Sequence, residues 1–218
     1  MWDMRKEDFM QNISWLNSLQ LKASYGTTGN SGISAYNALA LVGSGLLYNG
    51  QAGIAPSTVG NDNLTWESMK TLNVGISTRV FDRFSVDLEF YNRQTEDMLM
   101  AYPLSYTTGH GSSVENVASM RNRGFDITLG VDILKTRDFS WSVSGNLNYN
   151  KNEITKLFNG LDEYTLPDTG LKMKVGKPWG EYYYVKWAGV DPRDGYNMWY
   201  DKNGNLTKSY SEEDAVFI

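Results

Sequence analysis

The sequence predicts an all-β chain, a segment of an antiparallel, up-and-down transmembrane β-barrel with about five long strands and long extracellular loops. Three observations carry this reading. Large and polar residues alternate with period two through several segments. The clearest of these segments is about twice as long as an ordinary soluble strand. Short and long connections alternate along the chain, as they do in up-and-down barrels.

From the amino terminus, Trp2 to Ser18 is mixed, with Phe9, Ile13 and Leu16 at the spacing of a short helical turn. Leu19, Leu21, Ala23 and Tyr25 then alternate with Gln20, Lys22 and Ser24, giving a first strand that stops at Gly26. Residues 27–65 are rich in Gly, Ser and Asn, contain Pro56 and show no sustained period, so they read as a long loop. Trp66 opens the second strand, where Leu72, Val74, Ile76 and Val80 face away from Thr71, Asn73, Gly75, Ser77 and Arg79. Only Phe81, Asp82 and Arg83 separate it from the third, in which Phe84, Val86, Leu88 and Phe90 oppose Ser85, Asp87, Glu89, Tyr91 and Arg93. Met100 to Ser119 is irregular.

The strongest signal is Phe125 to Asn150, two strands joined by a polar turn at Lys135 to Asp138. Phe125, Ile127, Leu129, Val131 and Ile133 share one face of the first; Phe139, Trp141, Val143, Leu147 and Tyr149 share one face of the second. A helix would scatter these residues around its circumference. At about 3.3 Å per residue and a tilt of about 45°, Phe139 to Tyr149 rises roughly 25 Å, the height of a barrel's apolar band. Phe139 and Trp141 at one end and Tyr149 at the other stand where interfacial girdles stand. A long strand of a soluble sandwich also alternates, but Greek-key crossings give no reason for regular short and long connections. Asp87, Glu89, Arg93, Asp126 and Asp132 on the polar faces suit water or a polar plug rather than a dry core.

Composition agrees. The 218 residues include 21 Gly, 7 Trp and 14 Tyr and no Cys, with net charge −5. No apolar run approaches the 18 or so residues of a membrane-spanning helix, which leaves a barrel open because its strands spend every second residue on polar side chains. The acidic balance and the lack of a basic stripe argue against a nucleic-acid partner. Met1 to Met10 carries charges without an apolar core and is not a signal peptide, so an envelope protein of this sequence is expected to be a piece of something longer.

Six stretches resemble, in order, the SusC/RagA class of TonB-linked outer-membrane receptors. They are Trp15 to Asn30, Asn61 to Gly75, Phe90 to Leu99, Asn116 to Leu129, Phe139 to Leu157 and Val175 to Asp201. The resemblance implies a barrel of about 22 strands around a plug, in the cell outer membrane and in contact with its lipid. It implies an importer of glycan or peptide fragments, working with a SusD-like surface lipoprotein as lid and powered by the TonB complex. Residues 1–218 would form a late part of that barrel domain, without the plug, the TonB-contacting segment and the closing strands.

Against that frame of a passive wall, no enzyme, cofactor or metal is expected. Gly170, Gly176 and Lys177 suggest a phosphate loop, but the spacing is long by one residue and Pro178 replaces the Ser or Thr that would meet magnesium. His110 has no Cys to share a metal. Asp87 and Glu89 mimic an acid/base pair, and a wet wall explains them better. Asp201, Asn203 and Asn205 resemble a calcium loop with its glycine misplaced; Asn203-Gly204 is a hairpin turn, and Asp191 to Gly195 another turn. The aromatics of the last region remain, and Trp179, Tyr183, Trp187, Tyr196 and Trp199 are the candidates for substrate or lid contact, with loop packing as the alternative. The rival to the barrel is a soluble β-rich carbohydrate-binding module whose site these aromatics form.

Overall fold

An extended strand points its N–H and C=O groups sideways and needs a neighbour to satisfy them. The computed structural model describes residues 1–34, 36–166 and 171–218 and supplies those neighbours in one six-stranded sheet. In chain order unit 1, residues 1–152, holds β1 (Trp2–Asp3), β2 (Leu16–Asn30), β3 (Val42–Tyr48), β4 (Gln51–Pro56), β5 (Glu67–Val80), β6 (Phe84–Pro103), β7 (Ser112–Lys135) and all but the last four residues of β8 (Ser140–Lys156). The sheet order is β1-β2-β5-β6-β7-β8, a meander of five long strands with the short β1 on its edge. From β1 to β7 each neighbouring pair is antiparallel. Contacts of Asp126 with Asn148 and of Asn122 with Asn152 make β8 antiparallel to β7 as well.

β2, β6, β7 and β8 outrun their expected lengths, while β5 keeps its expected end at Val80. The correction is largest at Met100 to Ser119, which is strand at both ends and loop only from Leu104 to Gly111. The register of β6 on β7 shifts between Thr95 and Met98 and again before Leu99, with Asp97 at φ 55°. A bulge of this kind breaks period two while pairing continues, so the alternation fades where the strand does not. Residues 27–65 likewise hold the β3–β4 hairpin, turned by Asn49 (φ 50°) and Gly50 (φ 76°). In place of a helical turn around Phe9, Ile13 and Leu16 there are two 3-10 turns, Met4–Lys6 and Asp8–Met10, and Leu16 opens β2. Trp66 lies just before β5 and Phe139 just before β8.

The tight turn between β5 and β6 puts both Phe81 (φ 55°) and Asp82 (φ 57°) in the left-handed region. For a bulky residue this is strained and needs outside support. The Phe81 ring stacks on Trp15 at 5.8 Å and its N–H donates to the Trp15 carbonyl at 2.8 Å. The Asn17 side chain donates to the Asp82 carboxylate (2.5 Å) and accepts from its N–H (2.8 Å).

Residues 153–218 form a second unit. It contains β9 (Glu163–Thr165), β10 (Lys172–Lys174), β11 (Tyr183–Val185), β12 (Trp187–Val190), β13 (Asn197–Tyr200), β14 (Leu206–Thr207) and β15 (Ala215–Phe217). β9 pairs β10, β11 pairs β15, and β12, β13 and β14 make a small meander whose last turn is Asn203-Gly204. Ile154, Leu157, Phe158 and Met173 are its buried apolar residues, and Phe158 meets Tyr164 edge-on at 4.8 Å. No α-helix occurs among the described residues.

Candidate functional site

Paired residues of an antiparallel sheet share a face, so the register sorts the side chains of unit 1. Leu21, Ile76, Leu88 and Ile127 form one row; Ala23, Val74, Phe90 and Phe125 form the next; Val80, Phe84 and Val131 form a third. On β8 this face continues with Val143, Leu147 and Tyr149, the last stacked on Phe125 at 5.5 Å. Most of these large side chains stand exposed, Leu147 at 59% and Phe90 at 47%. A contiguous apolar surface of this extent calls for lipid or a partner.

The other face is polar and internally paired. Lys22 Nζ lies 3.2 Å from the Asp87 carboxylate, which also accepts from the Ser77 hydroxyl. Arg79 meets Asp132 at 2.7 Å, Tyr91 Oη donates to Asn150 at 3.0 Å, and the Asn148 amide reaches Asp126. Asp87 and Glu89 therefore share a wall of alternating donors and acceptors, with Asp87 engaged by Lys22 and Ser77 and Glu89 placed opposite Asp126.

In the second unit the candidate aromatics other than Trp179 divide between two small sheets. Trp187 on β12 is the registered neighbour of Trp199 on β13, and Trp199 meets Tyr210 edge-on at 5.6 Å. Tyr196 stands at the turn of the same hairpin, 67% exposed, and Trp187 is 60% exposed. Tyr183 belongs to the β11–β15 pair, where Lys172 Nζ sits 4.3 Å above its ring and Phe217 packs against its edge at 5.1 Å. Trp179 precedes β11. The structure thus gathers Trp187, Tyr196 and Trp199 on one hairpin and places Tyr183 on the β11–β15 pair.

Tyr182 and Tyr184 belong to the same aromatic region in the sequence, where Tyr183 is preferred to them, and Tyr210 gives no signal of its own. Tyr182 and Tyr184 lie 6.1 Å apart and are both exposed, while Tyr183 between them packs inward. Period two through 182–184 carried that signal. A cleft of about 250 Å³ is lined by Thr165, Tyr183, Tyr184, Val185, Tyr210, Glu212 and Ala215.

Charges fix the turns around these rings. Lys208 Nζ bridges Asp191 (2.6 Å) and Asp194. The Lys208 ammonium, with the Arg193 N–H, holds the Asp191 carboxyl below the ordinary carboxylate range, and Asp191 and Asp194 in turn raise Lys208. Asp201 accepts from the backbone N–H groups of Asn205 (2.8 Å) and Asn203 (2.9 Å), which lowers its pKa. Its carboxylate serves the turn that a calcium loop would have occupied. Lys172 and Lys174 likewise lower Glu163. His110 lies in the 104–111 connection, its N–H donating to Thr108 Oγ1 at 3.3 Å. Gly176 (φ 85°) and Lys177 form a turn after β10, while Gly170 and Pro167 lie outside the described residues.

Comparison with known proteins adds an independent line. Residues 11–215 match the family model described as TonB dependent receptor-like, beta-barrel. The chain is 32% identical over 210 residues to the TonB-dependent receptor P39 of Formosa agariphila, covering 96% of this chain and 20% of that protein. It is 28% identical to the TonB-dependent receptor SusC of Bacteroides thetaiotaomicron, covering 94% of this chain and 23% of that one. Among solved structures it is similar to the RagAB peptide transporter, at 40% identity and a TM-score of 0.86, over 100% of this chain and 25% of that one. The chain spans about a fifth to a quarter of the length of these relatives.

Proposed function

The chain belongs to the TonB-dependent receptor β-barrel family, in its SusC/RagA class, and from that membership we propose that it forms part of the wall and extracellular rim of an outer-membrane nutrient importer. The importer works with a SusD-like surface lipoprotein as its lid and draws its energy through the TonB complex. Its cargo is an oligomeric nutrient, a glycan or peptide fragment. Peptide has the stronger support, since identity to the RagAB peptide transporter is 40% against 28% to SusC.

One observation carries the reading: long, meandering strands expose an apolar face bounded by aromatic rings and turn a hydrogen-bonded polar face the other way. A wall between lipid and water needs that asymmetry and no chemistry of its own. The rim role falls to the exposed rings of the second unit, Trp187 and Tyr196 first, then Trp199, with Tyr183 and Trp179 as lesser candidates.

The test uses the full-length receptor in its own cells. Deleting its gene should abolish uptake of labelled oligopeptides, and complementation should restore it only when TonB and the neighbouring SusD-like gene are intact. Uptake of oligosaccharides instead would move the cargo to glycans. Uptake of both classes at wild-type rates in the deletion strain would overturn the importer role.

A further inference from the structure

On β2 and β5 the apolar band of unit 1 runs one pair further, to Tyr25 and Leu72, but on β6, β7 and β8 it ends sharply. Its last row on β6, β7 and β8 is Phe90, Phe125 and Tyr149, and the next pairs up the sheet are Asn92 with Arg123 and Gln94 with Arg121. Lys151 joins the Arg123 row. The Phe125–Tyr149 stack below and the 2.8 Å hydrogen bond from Asn152 to Asn122 above bracket the position, so the same register sets Lys151 beside Arg123. Both side chains are exposed, and alternation assigns both to the apolar side of the sheet.

Two cations therefore stand about 7 Å along the strand beyond the rings that mark the membrane interface. They lie at the end of the sheet with the longer connections, opposite the tight turns at 81–83 and 136–139, which is the extracellular end of a barrel. On the reading of this face as lipid-facing, we infer that Arg123 and Lys151 bind the phosphate of an outer-leaflet glycolipid whose acyl chains lie along the Phe90–Phe125–Tyr149 row and the band beneath it. The charges are complementary in a chain that is acidic as a whole, with net charge −5. A guanidinium carries five donors and an ammonium three, so together they serve neighbouring acceptors in the sheet and a phosphate as well. The fork of Arg123 matches two phosphate oxygens, and Lys151 adds a compact point charge. Basic groups at this depth recognise anionic headgroups in membrane proteins generally.

The experiment takes the full-length receptor, purified in detergent and stripped of lipid, and offers it lipid A with or without its phosphate. Retained lipid is counted by native mass spectrometry. The unmodified receptor should keep phosphorylated lipid A, and the double variant Arg123→Gln, Lys151→Gln should keep about tenfold less. Lipid A without phosphate should bind both proteins equally weakly, and millimolar inorganic phosphate should not displace the intact lipid. Equal retention of phosphorylated lipid A by both proteins, retention of the phosphate-free lipid by the unmodified receptor as strong as that of the phosphorylated one, or displacement by inorganic phosphate would each overturn the site. Should the double variant fail to assemble, Lys151→Gln alone is read against the same probes. Heat-modifiable mobility in the membrane fraction separates the two ideas: a receptor lacking it overturns the wall itself, whereas a folded barrel with unchanged lipid retention overturns only this site.

Discussion

Gly124 lies under the ring of the buried Tyr91, and a Cβ added there would come 2.6 Å from the Tyr91 hydroxyl and collide with the Tyr149 carbonyl oxygen. The absent side chain lets a ring cover the sheet and keeps β7 and β8 in register. Gly124→Ala in the full receptor should cost about 1–3 kcal/mol, as overpacking does, and lower the temperature at which heat-modifiable mobility is lost. Gly145→Ala should leave that temperature unchanged, because nothing lies within 4 Å of its added Cβ. A second residue-scale expectation follows from Asp191. Its folded pKa is depressed by Lys208 and the Arg193 N–H, so its contribution is present above the ordinary carboxylate value and lost as pH falls through the depressed one. Hydrogen exchange at Gly195, whose N–H donates to the Asp191 carbonyl at 2.8 Å, should accelerate on acidification beyond the intrinsic change in rate. Asp191→Asn should remove that excess; an identical pH profile in the variant would dismiss the clamp.

Single elements test which face meets lipid. Val143 and Ser144 are neighbours on β8 and differ in the side of the sheet they occupy. In the full receptor Val143→Arg should cost about 2–4 kcal/mol, the penalty of a charge facing the bilayer midplane, and Ser144→Arg much less. Moving the arginine to position 149, beside Phe125 at the end of the band, should reduce the cost to about 0–1 kcal/mol. Equal folded yields at 143 and 144 would reverse the assignment of faces. The β12–β13 hairpin supports a parallel comparison on uptake. Trp199 packs on Tyr210, so Trp199→Ala should loosen the hairpin, whereas Trp187→Ala should weaken import with barrel assembly intact. Unaltered uptake in the Trp187 variant would return that ring to packing.

For the molecule as a whole, the meander has two open ends, β1 with β2 on one side and β8 on the other. Such edges template further pairing, and the exposed apolar face adds a second route to association. Residues 1–218 expressed alone should aggregate in plain buffer and stay dispersed only with detergent. A monodisperse monomer that melts cooperatively without detergent would favour the soluble binding module.

Period two and chain punctuation were legible in the residues themselves, because a strand repeats every two residues wherever it runs unbroken. They gave the five long strands, the two tight turns at 81–83 and 135–138, and the two-faced wall; the ordered resemblances gave the receptor class. Asn49-Gly50 is a hairpin turn signal of its own, but its flanking strands lack any sustained period. What alternation could not carry was pairing across an irregularity. The bulge at Asp97 hides the upper halves of β6 and β7, and only contact between the strands restores them. The same holds for the functional surfaces. Arg123 and Lys151 are far apart in the chain and formed no basic stripe in the sequence, yet the register makes them adjacent. Which tyrosine of 182–184 packs inward, and which tryptophan stands beside which, likewise follows from strand register, a property of two segments together that neither segment contains alone.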